Sequence, residues 1–161
     1  MEVGHMRISG GTRASGIDLS GTLESEASRL AIAAEAAKAA HRGDAPYLKR
    51  ETGTDLADIR SGALADAAKN DKPIKRLVED AAGAIGIGVV NVVHMLCPDT
   101  IVLGGGLVEA MPNLMVDTVS KTARSRVMSV YKDRFKVVAA KLGDDAGVKG
   151  AAAWARQELK G

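Results

Sequence analysis

Four residues, Thr100-Ile101-Val102-Leu103, run directly into three glycines, Gly104-Gly105-Gly106. A short apolar, β-branched run of this kind reads as a buried strand. The pattern behind it predicts a helix over 112–127, a second strand over 135–142 and a final helix over 144–159. Strand, helix, strand, helix in that order points to an α/β domain with parallel pairing. The chain ahead of it reads mostly as helix. An alanine-dominated helix is expected over 25–40, with His41-Arg42-Gly43 as its stop, and another over 54–69. Pro73 suits the first turn of a long helix reaching about Leu96, with Leu77, Ala81, Ile85, Val89, Val92 and Leu96 on one face. Residues 2–8 read as a short strand and residues 9–22, rich in Gly, Ser and Thr, as a loop. No repeat, charged tail or boundary interrupts the chain, so residues 1–161 are expected to form a single domain.

Gly83, Gly86 and Gly88 fall inside the long predicted helix. Each interior glycine costs roughly 1 kcal/mol relative to alanine. Three together imply that another backbone, a packed helix or a ligand comes very close there.

Composition excludes several function classes. The 161 residues are enough for a real core. Lys and Arg number 22 against 20 Asp and Glu, and no basic stripe or aromatic run gives a nucleic-acid footprint. Cys97 is the single cysteine, so no internal disulfide forms, and a reducing compartment fits. The first residues are polar, with no apolar signal region. No uninterrupted apolar run reaches the ~20 residues that span a bilayer. The longest, Ala81 to Leu96, is broken by glycines and His94. A cytoplasmic protein without membrane or nucleic-acid contact is expected.

Several residues are candidates for a site. Glu2 and His5 could serve vicinal hydroxyls, since carboxylate and imidazole each accept a hydrogen bond. On a strand, residues three apart face opposite sides. The pair converges only if Gly4 permits a twist or bulge. Gly4-His5-Met6 also reads as a cloning remnant, and terminal residues fray. Glu24 opens the alanine-rich helix, where the macrodipole favours a carboxylate in any case. The triglycine could press backbone N–H groups against a flat ligand or a phosphate, or simply make a tight turn. It fits neither GxGxxG nor the P-loop pattern. Asp144-Asp145 could hold a metal or cap the last helix, and capping is favoured. His41, His94 and Cys97 lack ligand spacing and read as surface, core and core.

Together these segments resemble the ROK family of repressors, open reading frames and sugar kinases, in its C-terminal lobe. Members carry ExGH, then CxCGxxGCxE, a long helix, a strand ending in GGG, and LGDDAGxxGAA. Here stand Glu2-Val3-Gly4-His5, Gly21-Thr22-Leu23-Glu24, Ile101-Val102-Leu103-Gly104-Gly105-Gly106, and Leu142-Gly143-Asp144-Asp145-Ala146-Gly147-Val148-Lys149-Gly150-Ala151-Ala152. Order and spacing match over nearly the whole chain, which lifts Glu2 and His5 above the remnant reading. The resemblance implies an α/β, ribonuclease H-like lobe of the actin/hexokinase-type ATPase fold, incomplete and helix-rich with few strands. It implies that Glu2, His5 and Glu24 contact sugar hydroxyls and that Gly104, Gly105 and Gly106 line an adenosine pocket. ATP and Mg2+ would be the cofactors of a complete protein, transferring the γ-phosphoryl to a hexose or acetamido-hexose.

Two departures from the family stand out. Ser15, Ile17 and Thr22 occupy the positions of three zinc-binding cysteines, so no zinc is expected. The N-terminal lobe, its phosphate loop and catalytic Asp, and the first strands of this lobe have no counterpart in the chain. No catalytic residue is therefore assigned and no kinase turnover is expected from the chain alone. The strand edges at 2–8 and 100–104 would lie open, and self-association or pairing with the missing half is expected. The leading reading is a glucokinase-like lobe. The alternative is the sugar-sensing lobe of a regulator of the N-acetylglucosamine-repressor type, which has a helix-turn-helix upstream. A ligand-free assembly module is a third, and the intact Glu2, His5 and Glu24 weigh against it.

Overall fold

The computed structural model describes residues 2–10 and 20–159. Eight helices and two strands follow in order among them: α1 (Leu23–Ala27), α2 (Arg29–Arg42), α3 (Pro46–Thr52), α4 (Ser61–Asn70), α5 (Lys72–Leu96), β1 (Thr100–Leu103), α6 (Gly106–Ala110), α7 (Pro112–Arg126), β2 (Lys136–Ala139) and α8 (Ala146–Glu158).

The 25-residue α5 is the axis of the fold. By length and composition it could cross a membrane, but here it is a core helix. It buries Ile74, Val78, Ala82, Gly86, Val89, Val90 and Val93. Of the expected face, Ala81 and Val89 are buried, while Leu77, Ile85 and Val92 are half-buried and Leu96 is exposed, so the buried stripe is only partly the expected one. The cause is packing from several sides, with α7, α4, α2 and α1 all laid against α5. The interior glycines divide by role. A Cβ on Gly86 would lie 2.6 Å from Thr122 Cβ and 3.1 Å from the Val119 carbonyl oxygen, so this glycine lets α7 approach. A Cβ on Gly88 would lie 3.1 Å from Leu23 Cδ2, so this one admits α1. Gly83 faces open space. Helix-on-helix packing explains two of the three.

Other expectations shift for local reasons. The alanine-rich helix is two helices, because Ser28 is extended (ψ 152) and its hydroxyl accepts from the Ala31 amide at the start of α2. Residues 54–60 are turns, and only Ser61–Asn70 of the 54–69 segment is helical. A short helix, α3, stands ahead of them. Its start is capped from a distance: the buried Asp71 carboxylate accepts from the amides of Tyr47 (3.2 Å) and Leu48 (2.9 Å). β1 and β2 pair in parallel, Thr100 opposite Lys136 through Leu103 opposite Ala139. β2 is shorter than the predicted 135–142.

Residues 2–8 are not a strand. Val3–His5 form a 3-10 turn, and a single antiparallel bridge joins Arg7 to Thr22. His94 and Cys97 are exposed rather than core. α5 ends there, Cys97 takes a left-handed conformation (φ 48), and both side chains point toward the 128–131 turn. His94 Nε2 accepts from the Met128 amide at 3.1 Å, and the Cys97 thiol donates to the Tyr131 hydroxyl at 3.6 Å.

Candidate functional site

Glu2 and His5 flank a 3-10 turn instead of alternating along a strand, so the opposition of faces that a strand would impose on them does not arise. Glu2 sits at the start of the turn, and its Oε1 accepts from the Gly4 amide at 3.2 Å. His5 closes it, exposed. Glu24 arrives from α1. A Cβ on Gly4 would lie 3.2 Å from Glu2 Oε1 and 3.5 Å from Glu24 Oε2. Both carboxylates therefore border the same glycine, and both are exposed. Glycine at this position keeps the gap open and lets the carboxylates share it.

Two contacts hold this cluster on α5. The Asn91 amide donates to Met6 Sδ at 3.1 Å, tying the segment after His5 to the helix. Gly88 admits Leu23, the residue before Glu24. The Leu23 amide also donates to the Met6 carbonyl at 2.9 Å, so the two segments are laced to each other. Asn91 has no chemical signature of its own in the sequence, whereas Gly88 is one of the interior glycines that mark a close approach. The interior glycines of α5 were the visible trace.

Thr22 stands where the resemblance places a zinc thiolate. It is buried, and its hydroxyl accepts from the Ser25 amide at 3.2 Å, capping α1. Ser25 returns a bond to the Thr22 carbonyl at 2.9 Å. A capping hydroxyl does not supply what zinc takes from a thiolate. Ser15 and Ile17 lie outside the described residues.

The triglycine turn forms a second place, and the cavities it borders include none of Glu2, His5 and Glu24. Gly105 adopts φ 97, ψ 164, a region essentially reserved for glycine. A Cβ on Gly106 would lie 2.9 Å from Ser61 Oγ, so the turn lies tight against the start of α4. A crevice of about 330 Å³ opens at the carboxyl ends of the two strands, with Gly104, Glu109, Lys141 and Gly143 on its walls. Ligands of open parallel sheets bind outside that end. On the other side of the turn lies a basin of about 860 Å³ bordered by Gly106, Glu109, Arg29, Arg60 and Ser61. The arginines had no signal in the sequence, because only tertiary packing brings the starts of α2 and α4 together.

The Asp145 side chain makes no cap. It pairs with Lys149 Nζ at 3.0 Å along α8. The side chain of Asp144 lies outside what is described. Among the described residues, no group of three or more His, Cys, Asp or Glu is placed to hold a metal ion.

A model of the ROK family matches residues 1–158. A ROK family glucokinase from Streptomyces griseus, solved in complex with glucose and AMPPNP, superposes with a TM-score of 0.77 at 25% identity, covering 97% of this chain and 51% of that one. A ROK hexokinase from Thermus thermophilus superposes with a TM-score of 0.73 at 28% identity, covering 99% of this chain and 48% of that one. A ROK family transcriptional regulator, a homolog of the E. coli MLC protein, gives a TM-score of 0.76 at 22% identity, covering 94% of this chain and 37% of that one. At that identity the last shows the fold alone. The chain spans about half the length of the two kinases it matches. Its helix-rich architecture with a small parallel sheet is that of an incomplete lobe of the actin/hexokinase-like fold. The chain belongs to the ROK family.

Proposed function

We propose that this chain is the sugar- and nucleotide-facing part of a ROK-type sugar kinase lobe. It would serve glucokinase-like phosphoryl transfer from ATP to a hexose only within a longer protein or assembly. The observation that carries this reading is the pair of carboxylates, Glu2 and Glu24, on either side of Gly4. Two exposed acceptors around one glycine suit neighbouring hydroxyls of a sugar ring, and His5 adds a third. Gly104, Gly105 and Gly106 then line the adenosine side, with Mg2+ accompanying the phosphates. The kinase reading is preferred over a sugar-sensing regulator lobe because the kinase relatives are the more similar in sequence.

Phosphoryl transfer needs a positioned base and a metal–phosphate grip. The resemblance places both outside this chain, so the chain alone binds without turning over. Zinc takes no part, since Ser15, Ile17 and Thr22 offer no thiolate and Thr22 is engaged as a cap. The working partner is the missing half or a second copy, along the side of β1 that β2 leaves open. The cytoplasm is the fitting compartment.

The test is calorimetric titration of the chain with glucose, N-acetylglucosamine and N-acetylmannosamine, with and without Mg-ATP. Saturable binding of one sugar, lost in Glu24→Ala, is expected. Heat equal to buffer dilution for all three would refute the sugar site. Sugar-dependent ATP consumption by the pure chain would refute the half-site account.

A further inference from the structure

We propose that the cavity at the carboxyl end of α5 binds a small apolar molecule ending in a single carboxylate, with the Arg134 guanidinium and the Tyr131 hydroxyl holding the carboxylate oxygens. The cavity measures about 340 Å³, within the range of small-molecule sites. It shares no residue with the cavities beside the triglycine turn or with the cluster of Glu2, His5 and Glu24.

The walls of the cavity are held from several sides. Pro98 precedes β1 and Phe135 precedes β2, so the cavity lies at the amino ends of the strands, away from the triglycine turn. Val93 and Phe135 give it apolar, buried surface. Arg124 backs Phe135, with its guanidinium 5.9 Å from the ring centroid and one N–H donating to the Phe135 carbonyl at 3.3 Å. The 128–131 turn supplies another wall, and the end of α5 pins it. His94 accepts from the Met128 amide, and its ring centroid stands 5.6 Å from that of Tyr131. Val130 on the same turn borders the cavity and leaves its apolar side chain exposed to solvent.

Two polar groups set the chemistry of the ligand. Arg134 borders the cavity, is exposed, and forms no ion pair among the described residues. Its planar fork suits the two oxygens of a carboxylate. The Tyr131 oxygen accepts from the Cys97 thiol at 3.6 Å, which leaves the phenol proton for a further acceptor. α5 ends at this place, and the partial negative charge of its last carbonyls opposes added negative charge. One cation beside that helix end favours a monoanion over a dianion such as a phosphate ester. The apolar walls favour a hydrocarbon body over a small hydrated anion. An aryl or alkyl monocarboxylate has both parts.

The test uses the full chain, whose single cysteine borders the cavity and reports on it. The rate of Cys97 alkylation by iodoacetamide is followed at rising concentrations of 3-phenylpropanoate, its neutral amide 3-phenylpropanamide, and phenyl phosphate. Saturable slowing is expected with the carboxylate, with the amide binding roughly tenfold more weakly. Phenyl phosphate is expected to bind no better than the amide. Arg134→Gln should weaken the carboxylate roughly tenfold and leave the amide unchanged, which shows that the cavity is still formed. Arg134→Lys should recover part of that loss. Tyr131→Phe should weaken the carboxylate by a smaller factor, roughly threefold. A carboxylate that gives no saturable slowing, or that keeps its advantage over the amide in Arg134→Gln, would overturn the assignment. Equal losses for both probes in that variant would overturn it too, because the guanidinium would then hold the wall and not the ligand.

Discussion

α2 and α8 are alanine-rich helices of 14 and 13 residues with opposite fates. In α2, Ile32, Ala33, Ala36, Ala39 and Ala40 fall on one stripe and are buried. In α8, Val148, Ala152 and Ala155 repeat the same spacing, yet every residue from 146 to 159 is exposed, Trp154 at 66% and Val148 at 74%. The ends differ too. α2 is capped by Ser28 at its start and by Gly43 (φ 87) at its end. α8 has no side-chain cap at its start, only the exposed Asp145–Lys149 pair. The 3.6-residue stripe thus specifies a helix and a face, while burial depends on a neighbouring element. α2 finds α5, α3 and α1, and α8 meets the turn that precedes it.

Five measurements would break or sharpen this contrast. The largest effect is expected in the helical core. Leu64 is fully buried in α4 against α5, and Leu64→Ala should cost about 2–5 kcal/mol in urea unfolding. A cost below about 1 kcal/mol would mean that the helical half is not a packed core. Next, Asp71→Ala removes a buried carboxylate that serves two α3 amides and should cost about 2–3 kcal/mol. Retained stability would deny the remote cap. Gly86→Ala drives a methyl into Thr122 and should cost about 1–3 kcal/mol, reduced by alanine's better helix propensity. Stabilisation there would show that α5 and α7 are farther apart than described. Smallest is Trp154→Ala in α8, expected within about 0.5 kcal/mol of the wild type. Hydrogen exchange should follow the same order, slow in α2 and fast in α8. Strong protection of α8 amides would contradict its exposure.

The same distinction explains what the sequence reveals. The long helix opened by Pro73, the strand before the triglycine and the parallel pairing are all legible, because each has a strong local pattern. The break at Ser28 is not, since alanine runs on both sides hide a capping serine. α3 is too short for its periodicity to register, and the residue that caps it is more than twenty positions away. The 2–8 segment has strand-like residues but only one bridge partner, so it curls into a turn. That turn draws Glu2 to the same glycine as Glu24. Glu2, His5, Glu24 and the triglycine carry motifs and are visible as candidates. Arg29, Arg60 and Glu109 meet only through packing and carry no local signal.

The central claim is that two separate ligand surfaces coexist on this chain, a carboxylate cluster around Gly4 and a glycine turn beside α4. A ¹H–¹⁵N NMR titration with glucose and AMPPNP, added separately, addresses it directly. The account predicts two distinct sets of shifted amides. Glucose should move Gly4, His5 and Glu24, and AMPPNP should move Gly62, Gly105 and Gly106. Shifts from both ligands at one place, or none at saturating concentrations of either, would contradict it.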